Sequence, residues 1–528
     1  MKNPSFTGLA FVALFAALPV APAQAQWIVG SATPAAVNGV CGTANGEYFG
    51  SLPTTRLCAS GAASSVSSSG SWTCAGSNGG TTPVCLAKVT SGCPFSAPIT
   101  TAGTYGLDVK SLFGGGAVGT STIAKAITCA GKGLGSGSGH NATVILDLPP
   151  ETIDLSKTTA VGKGSIEIDN MNCVTPSAPN CGNVGGRASN SSNHLVVRGA
   201  GVGKTQIIFV LDPKNHSNDR IGLWVSDSAN VTFTGMTFNW PYTTVTQGRV
   251  VASSSTSVTV DIEKGFPNPA QLIDTVNFPS SGRFLHEFTY SKVAGDPTTY
   301  CQFKMDPVKN GYIQSTQIAW TPGVKQDPSH PQRWVIPFES AEKHPPTPGT
   351  ILGIKSKEGQ NVYTLRNLSH FVFDTVAWVR RSRGVFTGST FNGKDYGSIN
   401  ISVTNSTIAR EAPINGIQPC MSTPDGGVQV GGRLGLPSSG NHFAGNTFIA
   451  PGDDAFALFD VSQSTVVGNT LASSFSNRGL MMDFTDPNHS ATSGHSGINF
   501  CSPANKQSDN MIVQMIGDHG SSQVLQCP

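Results

Sequence analysis

Charge is scarce in this 528-residue chain. Only 12% of its residues are Asp, Glu, Lys or Arg, and 33 basic side chains nearly balance 31 acidic ones, for a net charge of +2. Such a balance excludes an electrostatic case for nucleic acid or for a strongly charged partner. Zinc spacing is missing too. There are twelve cysteines but no Cys-x-x-Cys and no Cys/His cluster, so the cysteines predict disulfides instead. Beyond the N-terminus, no apolar run is long enough to span a bilayer. A nucleotide-binding phosphate loop is also lacking. Gly203-Lys204-Thr205 resembles the end of one, but Arg198 stands where its first glycine belongs, and Gln206–Val210 reads as a strand, not a helix.

What is present points to an exported all-β protein. Hydrophobic residues make up 38% of the chain, enough for a core, and glycine is abundant at 61 residues. Met1–Ala25 reads as a secretory signal: Lys2 is the positive region, Leu9–Leu18 the apolar core, and Ala23-Gln24-Ala25 the small-x-small cleavage site. That apolar core is too short for a stable membrane span. A secreted or periplasmic location follows.

Residues 26–88 form a small cysteine-bearing module in which Cys41, Cys58, Cys74 and Cys85 allow three pairings. Surface attachment and an inert stalk are equally good readings of it. Residues 89–141 read as irregular, with Gly114–Gly116 and Gly133–Gly139 as loop signals. From Ala142 onward, short runs rich in Val, Ile, Phe and Thr alternate with Gly, Asn and Ser, without useful helical periodicity. Asn230–Asn239 alternates cleanly, with Gly235 as the expected corner. The spacing predicts a β-solenoid over 89–249, resuming over 356–528. Residues 250–355 break the rhythm and read as an inserted β subdomain. Its aromatics Tyr300, Trp320 and Trp334 are candidates for stacking on a sugar, with core packing the plainer alternative. Ala409–Thr423 reads as a rim loop, and Cys501 and Cys527 as ties on a capping segment.

The candidate chemistry lies in 420–482. Three strand-like runs recur there, and Asp425 and Asp453 stand at the same offset, three residues before Val428 and Phe456 respectively. Stacked turns would set their side chains on rungs about 4.8 Å apart. Asp454 adds a third carboxyl. Close negative charges raise at least one pKa, leaving one protonated acid beside an ionised base. That pair performs glycoside hydrolysis, protonating the leaving oxygen and activating water. Arg383 and Arg478, at similar offsets on flanking rungs, are candidates for holding substrate hydroxyls or an acidic substituent. Turn formation and calcium binding are the plainer uses of such acids.

Gly452-Asp453-Asp454-Ala455, preceded by Pro424-Asp425-Gly426, resembles the motifs of right-handed parallel β-helix glycoside hydrolases. The pattern is similar to polygalacturonases and closer to the β-helix α-1,3-galactosidase family, through Asn239–Val250 and Gly445-Asn446-Thr447-Phe448. The resemblance covers about His194 to Met482. It implies a pectin-lyase-like β-helix and an inverting mechanism in which Asp453 is the general acid and Asp454 and Asp425 position water. The implied substrate is an oligo- or polysaccharide, with no cofactor and no metal. Arg478-Gly479 replaces the histidine-glycine of polygalacturonases, and their arginine-x-lysine motif is not evident, which favours a neutral sugar. A non-catalytic carbohydrate-binding or adhesin-like β-helix is the second reading. A calcium-dependent lyase, with Arg383 or Arg478 as base, is the third.

Overall fold

The computed structural model describes residues 34–135, 139–156, 164–172, 192–209, 221–240, 245–269, 284–290, 317–319, 324–338, 341, 345–356, 363–379, 384–387, 389–391, 394–396, 398–423, 427–431, 438–451, 456–459, 461–472, 480–483, 506–508 and 511–513. The protein is mostly β. Its main body is a 22-stranded sheet whose recorded pairings are all parallel.

The strand Ile221–Asn239 shows how the body is built. Asp227, Asn230 and Gly235 take positive φ values of 48°, 53° and 66°, which bend it into three straight pieces. The pieces pair separately with Gly164–Asp169, His194–Arg198 and Gln206–Ile208. The strand Tyr363–Val379 repeats the pattern, with Asn367, His370 and Thr375 at 53°, 52° and 53°. It pairs in register with the first from Leu223↔Tyr363 to Asn239↔Val379, although 140 positions separate the partners. Later rungs follow at Val372↔Ser402, Ser402↔His442 and His442↔Thr465. The expected corner at Gly235 is present.

Inward positions carry aromatic rings. Phe371 and Phe373 meet edge to face at 4.9 Å, and Phe448 lies 4.9 Å from Phe456. Phe233, Phe238, Trp378 and Phe443 are equally buried. Corners are sealed by amides. Asn446 accepts the Ser406 N–H (3.0 Å) and donates to Val403 O (2.8 Å) and Asn469 Oδ1 (2.8 Å). Such ladders satisfy backbone groups that the bends leave unpaired.

Residues between the two long strands contribute a seven-stranded sheet running from Val245–Ser253 to Ile351–Ser356, with antiparallel pairings. It has its own core of Val250, Val258, Val260, Ile336, Leu352 and Ile354. Trp334 belongs to that core and is only 7% exposed, so it is not the sugar-stacking surface ring considered above. Tyr300 and Trp320 lie outside the described residues.

The N-terminal module forms Cys41–Cys85 and Cys58–Cys74 around buried Trp72, whose indole donates to Leu57 O at 2.8 Å. Its Tyr48–Phe49 strand pairs in parallel with Lys88–Val89, and Tyr48 pairs with Leu107. The module thus joins the main sheet directly.

The expectation of irregular structure over 89–141 is corrected. This segment holds the strand Gly103–Asp108 and a 15-residue helix, α1 (Thr120–Leu134). Ile123, Ala126, Ile127, Ala130 and Leu134 form its buried face. Of the glycines that read as loop signals, Gly115 and Gly116 do lie in a bend, whereas Gly133 lies in the helix and serves packing: a Cβ there would lie 2.6 Å from the Phe95 ring. Cys129 of α1 is bonded to Cys93. Residues 203–205 are also settled as a turn between strands. Thr205 Oγ1 is spent on Pro149 O and the Ala200 N–H, both at 2.8 Å.

Among the described residues, no helix is long and apolar enough to cross a membrane.

Candidate functional site

Asp425, Asp453, Asp454, Arg383 and Arg478 all lie outside the described residues. What the structure describes is the framework on either side of the acidic segments. Thr423 and Pro451 form a parallel bridge, and Val428 pairs with Phe456. Both pairs are 28 positions apart, so 424–427 (Pro-Asp-Gly-Gly) and 452–455 (Gly-Asp-Asp-Ala) are links of equal length between matched anchors. Phe456 pairs in turn with Leu480, so Val428, Phe456 and Leu480 share one column.

The anchors are firmly set. Met421, Ser422, Thr423, Val428 and Phe456 are buried, and the Ser422 N–H donates to Ala450 O at 2.8 Å. Ala450, two residues before Gly452, has φ +53°. A non-glycine residue in the left-handed region costs roughly 1–3 kcal/mol, and such strain tends to be stored near functional segments. The sequence alone did not single this residue out, because alanine carries no turn signature.

One wall of the framework comes from the seven-stranded sheet. Gln247, buried on its first strand, accepts the Cys420 N–H at 2.7 Å and donates to Gln418 O at 3.1 Å. Asn415 donates to Lys264 O at 2.9 Å, while Ile414 and Ile417 pack on the sheet's core. Gly265, at φ +92°, leaves room for the Asn415 amide, which would stand 2.3 Å from a Cβ there. The loop 409–423 is therefore clamped to the inserted sheet just before the first acidic link. Arg410 donates to Cys420 O at 3.2 Å and brings a cation to this rim that the sequence reading did not name.

Other ionisable groups are placed differently. Asp374 is half-buried on the main sheet and accepts hydrogen bonds from Thr404, Asn405, Thr375 and Thr234. Burial pushes its pKa up, but these four donors outweigh burial and hold it below the ordinary value. Glu47, Asp147, Arg56 and Arg198 form a buried cluster where the N-terminal module meets the sheet. Glu47 and Asp147 are 4% and 5% exposed, too enclosed to meet a saccharide. A surface hollow of about 450 Å³ lies against α1, lined by Phe113, Lys125, Lys132 and the Cys93–Cys129 bridge, on the N-terminal part of the body and not on the strands that frame the acidic links.

Among the described residues, the one cluster of metal-ligating type is Cys41, Cys74 and Cys85, whose sulfurs are already committed to disulfides. It has no thiolate to offer a metal.

No known family model matches the chain, and no curated protein matches it. Among solved structures it is similar to a pectate lyase from Bacillus sp. N165 in complex with trigalacturonate, at 12% identity over 83% of this chain and 89% of that one, with a TM-score of 0.26. It is also similar to a chain described as a glycoside hydrolase, at 8% identity over 75% of this chain and 92% of that one, with a TM-score of 0.19. Overlaps this loose carry no argument about fold or activity.

Proposed function

We propose that this chain is an exported glycoside hydrolase on a right-handed parallel β-helix, with Asp425, Asp453 and Asp454 as its acid and base carboxyls. The handedness rests on the general rule that parallel crossovers are right-handed in roughly 98% of cases. Export rests on the Met1–Ala25 reading and is supported by the disulfides among the described residues, which persist in oxidising compartments.

The observation that carries the catalytic reading is the matched pair of anchors. Links of equal length between Thr423↔Pro451 and Val428↔Phe456 favour neighbouring rungs for Asp425 and Asp453. One rung is about 4.8 Å, and side chains that splay from adjacent rungs reach the roughly 6.5–9.5 Å that an inverting hydrolase needs to seat a water. In this reading Asp453 protonates the leaving oxygen, while Asp454 and Asp425 position and activate water. Arg383 and Arg478 hold substrate hydroxyls. The substrate is a saccharide, and the motif resemblance favours a neutral, α-galactosyl-type unit.

The test is a reducing-sugar screen over a glycan panel, with wild type and Asp453→Asn side by side. The expected result is hydrolysis by wild type and a loss of about 10²–10⁴ in kcat for the variant, with an unchanged melting curve. Glycan binding without turnover, insensitive to Asp425→Asn, would turn the reading into a non-catalytic binding protein. A product absorbing in the ultraviolet, abolished by chelator, would turn it into a calcium-dependent lyase.

A further inference from the structure

The N-terminal disulfide module meets the main sheet through a buried charge cluster that the proposed hydrolysis does not use. Glu47 of the module sits over Gly106, where a Cβ would lie 2.3 Å from its Cγ. From the module, Arg56 approaches Glu47 Oε2 at 3.2 Å and also pairs with Asp108 at 2.7 Å and Asp147 at 3.6 Å. From the sheet, Arg198 pairs with Glu47 at 3.1 Å and with Asp147 at 2.6 Å. One Arg198 nitrogen, Nη2, donates to both Glu47 Oε1 (3.1 Å) and Asp147 Oδ2 (2.9 Å), which brings the two carboxyls together, while buried Glu47 Oε2 has no hydrogen-bond partner among the described residues. Lys88, whose backbone N–H donates to Glu47 O at 2.8 Å, turns its ammonium instead over the Tyr48 ring at 4.8 Å. The residues facing Glu47 from every packed element are therefore Arg56, Lys88, Asp108, Asp147 and Arg198.

With the Lys88 ammonium engaged on the Tyr48 ring and not on a carboxylate, the ion-paired groups do not balance when all are ionised. Three carboxylates, Glu47, Asp108 and Asp147, face two guanidiniums, Arg56 and Arg198. One proton held between Glu47 and Asp147 makes the cluster neutral and supplies the donor that a carboxyl–carboxylate contact requires. Removing it leaves an uncompensated negative charge in a site only 4–5% exposed at Glu47 and Asp147.

We infer that Glu47 is a proton-operated clamp which fastens the N-terminal disulfide module to the first parallel strands and loosens as the medium turns alkaline. The clamp is independent of the hydrolase reading. Burial first, and then Asp147, push the Glu47 carboxyl up to about 9, against the opposing pull of both arginines. The sign follows. A carboxyl whose folded value exceeds its unfolded one favours the docked state at low pH and loses that advantage as pH rises toward the folded value. Up to tenfold of docking equilibrium per pH unit is at stake across that window.

Hydrogen–deuterium exchange over residues 46–50, corrected for intrinsic exchange, tests this in the full-length protein between pH 6 and 9. The expected result is a wild-type protection factor that falls at least tenfold, while Glu47→Gln, which keeps the neutral form, changes less than twofold. A flat wild-type profile, or a parallel fall in Glu47→Gln, overturns the inference. Should Glu47→Gln fail to fold, Asp147→Asn replaces it. That change removes the carboxyl neighbour but not the burial, so the fall over pH 6–9 should become smaller than in wild type. A fall as large as wild type's in Asp147→Asn overturns the inference equally.

Discussion

Replacing Asn446 by alanine tests the stacking on which the catalytic reading depends. Ser406, Asn446 and Asn469 are 40 and 23 positions apart, and only in-register rungs bring them together. The Asn446 side chain, 1% exposed, accepts the Ser406 N–H and donates to Val403 O and Asn469 Oδ1. Alanine leaves the Ser406 N–H buried without its partner, a cost of about 1–3 kcal/mol, and forfeits roughly 1 kcal/mol more in the bond to Val403 O. The total is about 2–4 kcal/mol. At roughly 2–4 °C per kcal/mol for a sizeable domain, the melting point should fall by about 5 °C or more. His442→Ala, on the outer face of the neighbouring strand, is the control and should stay within about 0.5 kcal/mol of wild type. Differential scanning calorimetry of the three proteins decides the matter. If Asn446→Ala matches the control, the amides do not bridge rungs and the stacking is refuted.

Two further outcomes follow from the described residues. Gly133→Ala should destabilise the protein despite a helix-propensity gain of about 1 kcal/mol, because its Cβ would stand 2.6 Å from the buried Phe95 ring and overpacking costs typically 1–3 kcal/mol; a rise in melting temperature would refute this. Asp374, its pKa held below the ordinary value by its four donors, contributes stability above its unfolded pKa and loses it as pH falls through the folded value. Asp374→Asn should therefore flatten the acid limb of the melting-temperature profile below about pH 4, and an unaltered limb would refute the assignment.

How much of this architecture was legible depended on whether turns carry their own chemistry. Asn230, Gly235, Asn400, Asn405, Gly440, Gly445 and Gly468 are residues that tolerate positive φ, and the short strands between them read clearly. His370, Thr375 and Gln463 occupy equivalent corners without that signature, so the rungs could not be counted by turn residues alone. Helix α1 was hidden by Gly131 and Gly133, which depress helix propensity, although Gly133 serves the fit against Phe95. Trp334 had two readings from sequence, and only the sheet partners around it decide for the core. The Glu47 cluster leaves no local pattern at all, because 151 positions separate Glu47 from Arg198 and only strand pairing unites them.

The acidic links belong to an intermediate kind. Their equal offset from Val428 and Phe456 is a property of the sequence, but an offset becomes an alignment only if the strands pair in that register and the chain enters both links at matched points. The pairing Val428↔Phe456 and the bridge Thr423↔Pro451 place the residues that flank the links in such a register. A shift of one residue at either anchor would break the match, since alternate strand residues face opposite ways. The insertion does not disturb this order. Leu223↔Tyr363 and Asn239↔Val379 keep the same offset across all 140 intervening positions, so the added sheet is accommodated outside the stack. Gln247 then ties that sheet to the backbone on both sides of Pro419, immediately upstream of the first link. The seven-stranded sheet thus leaves the ladder intact while gripping the segment that precedes the first acidic link, and its apolar core, Trp334 included, makes that grip rigid.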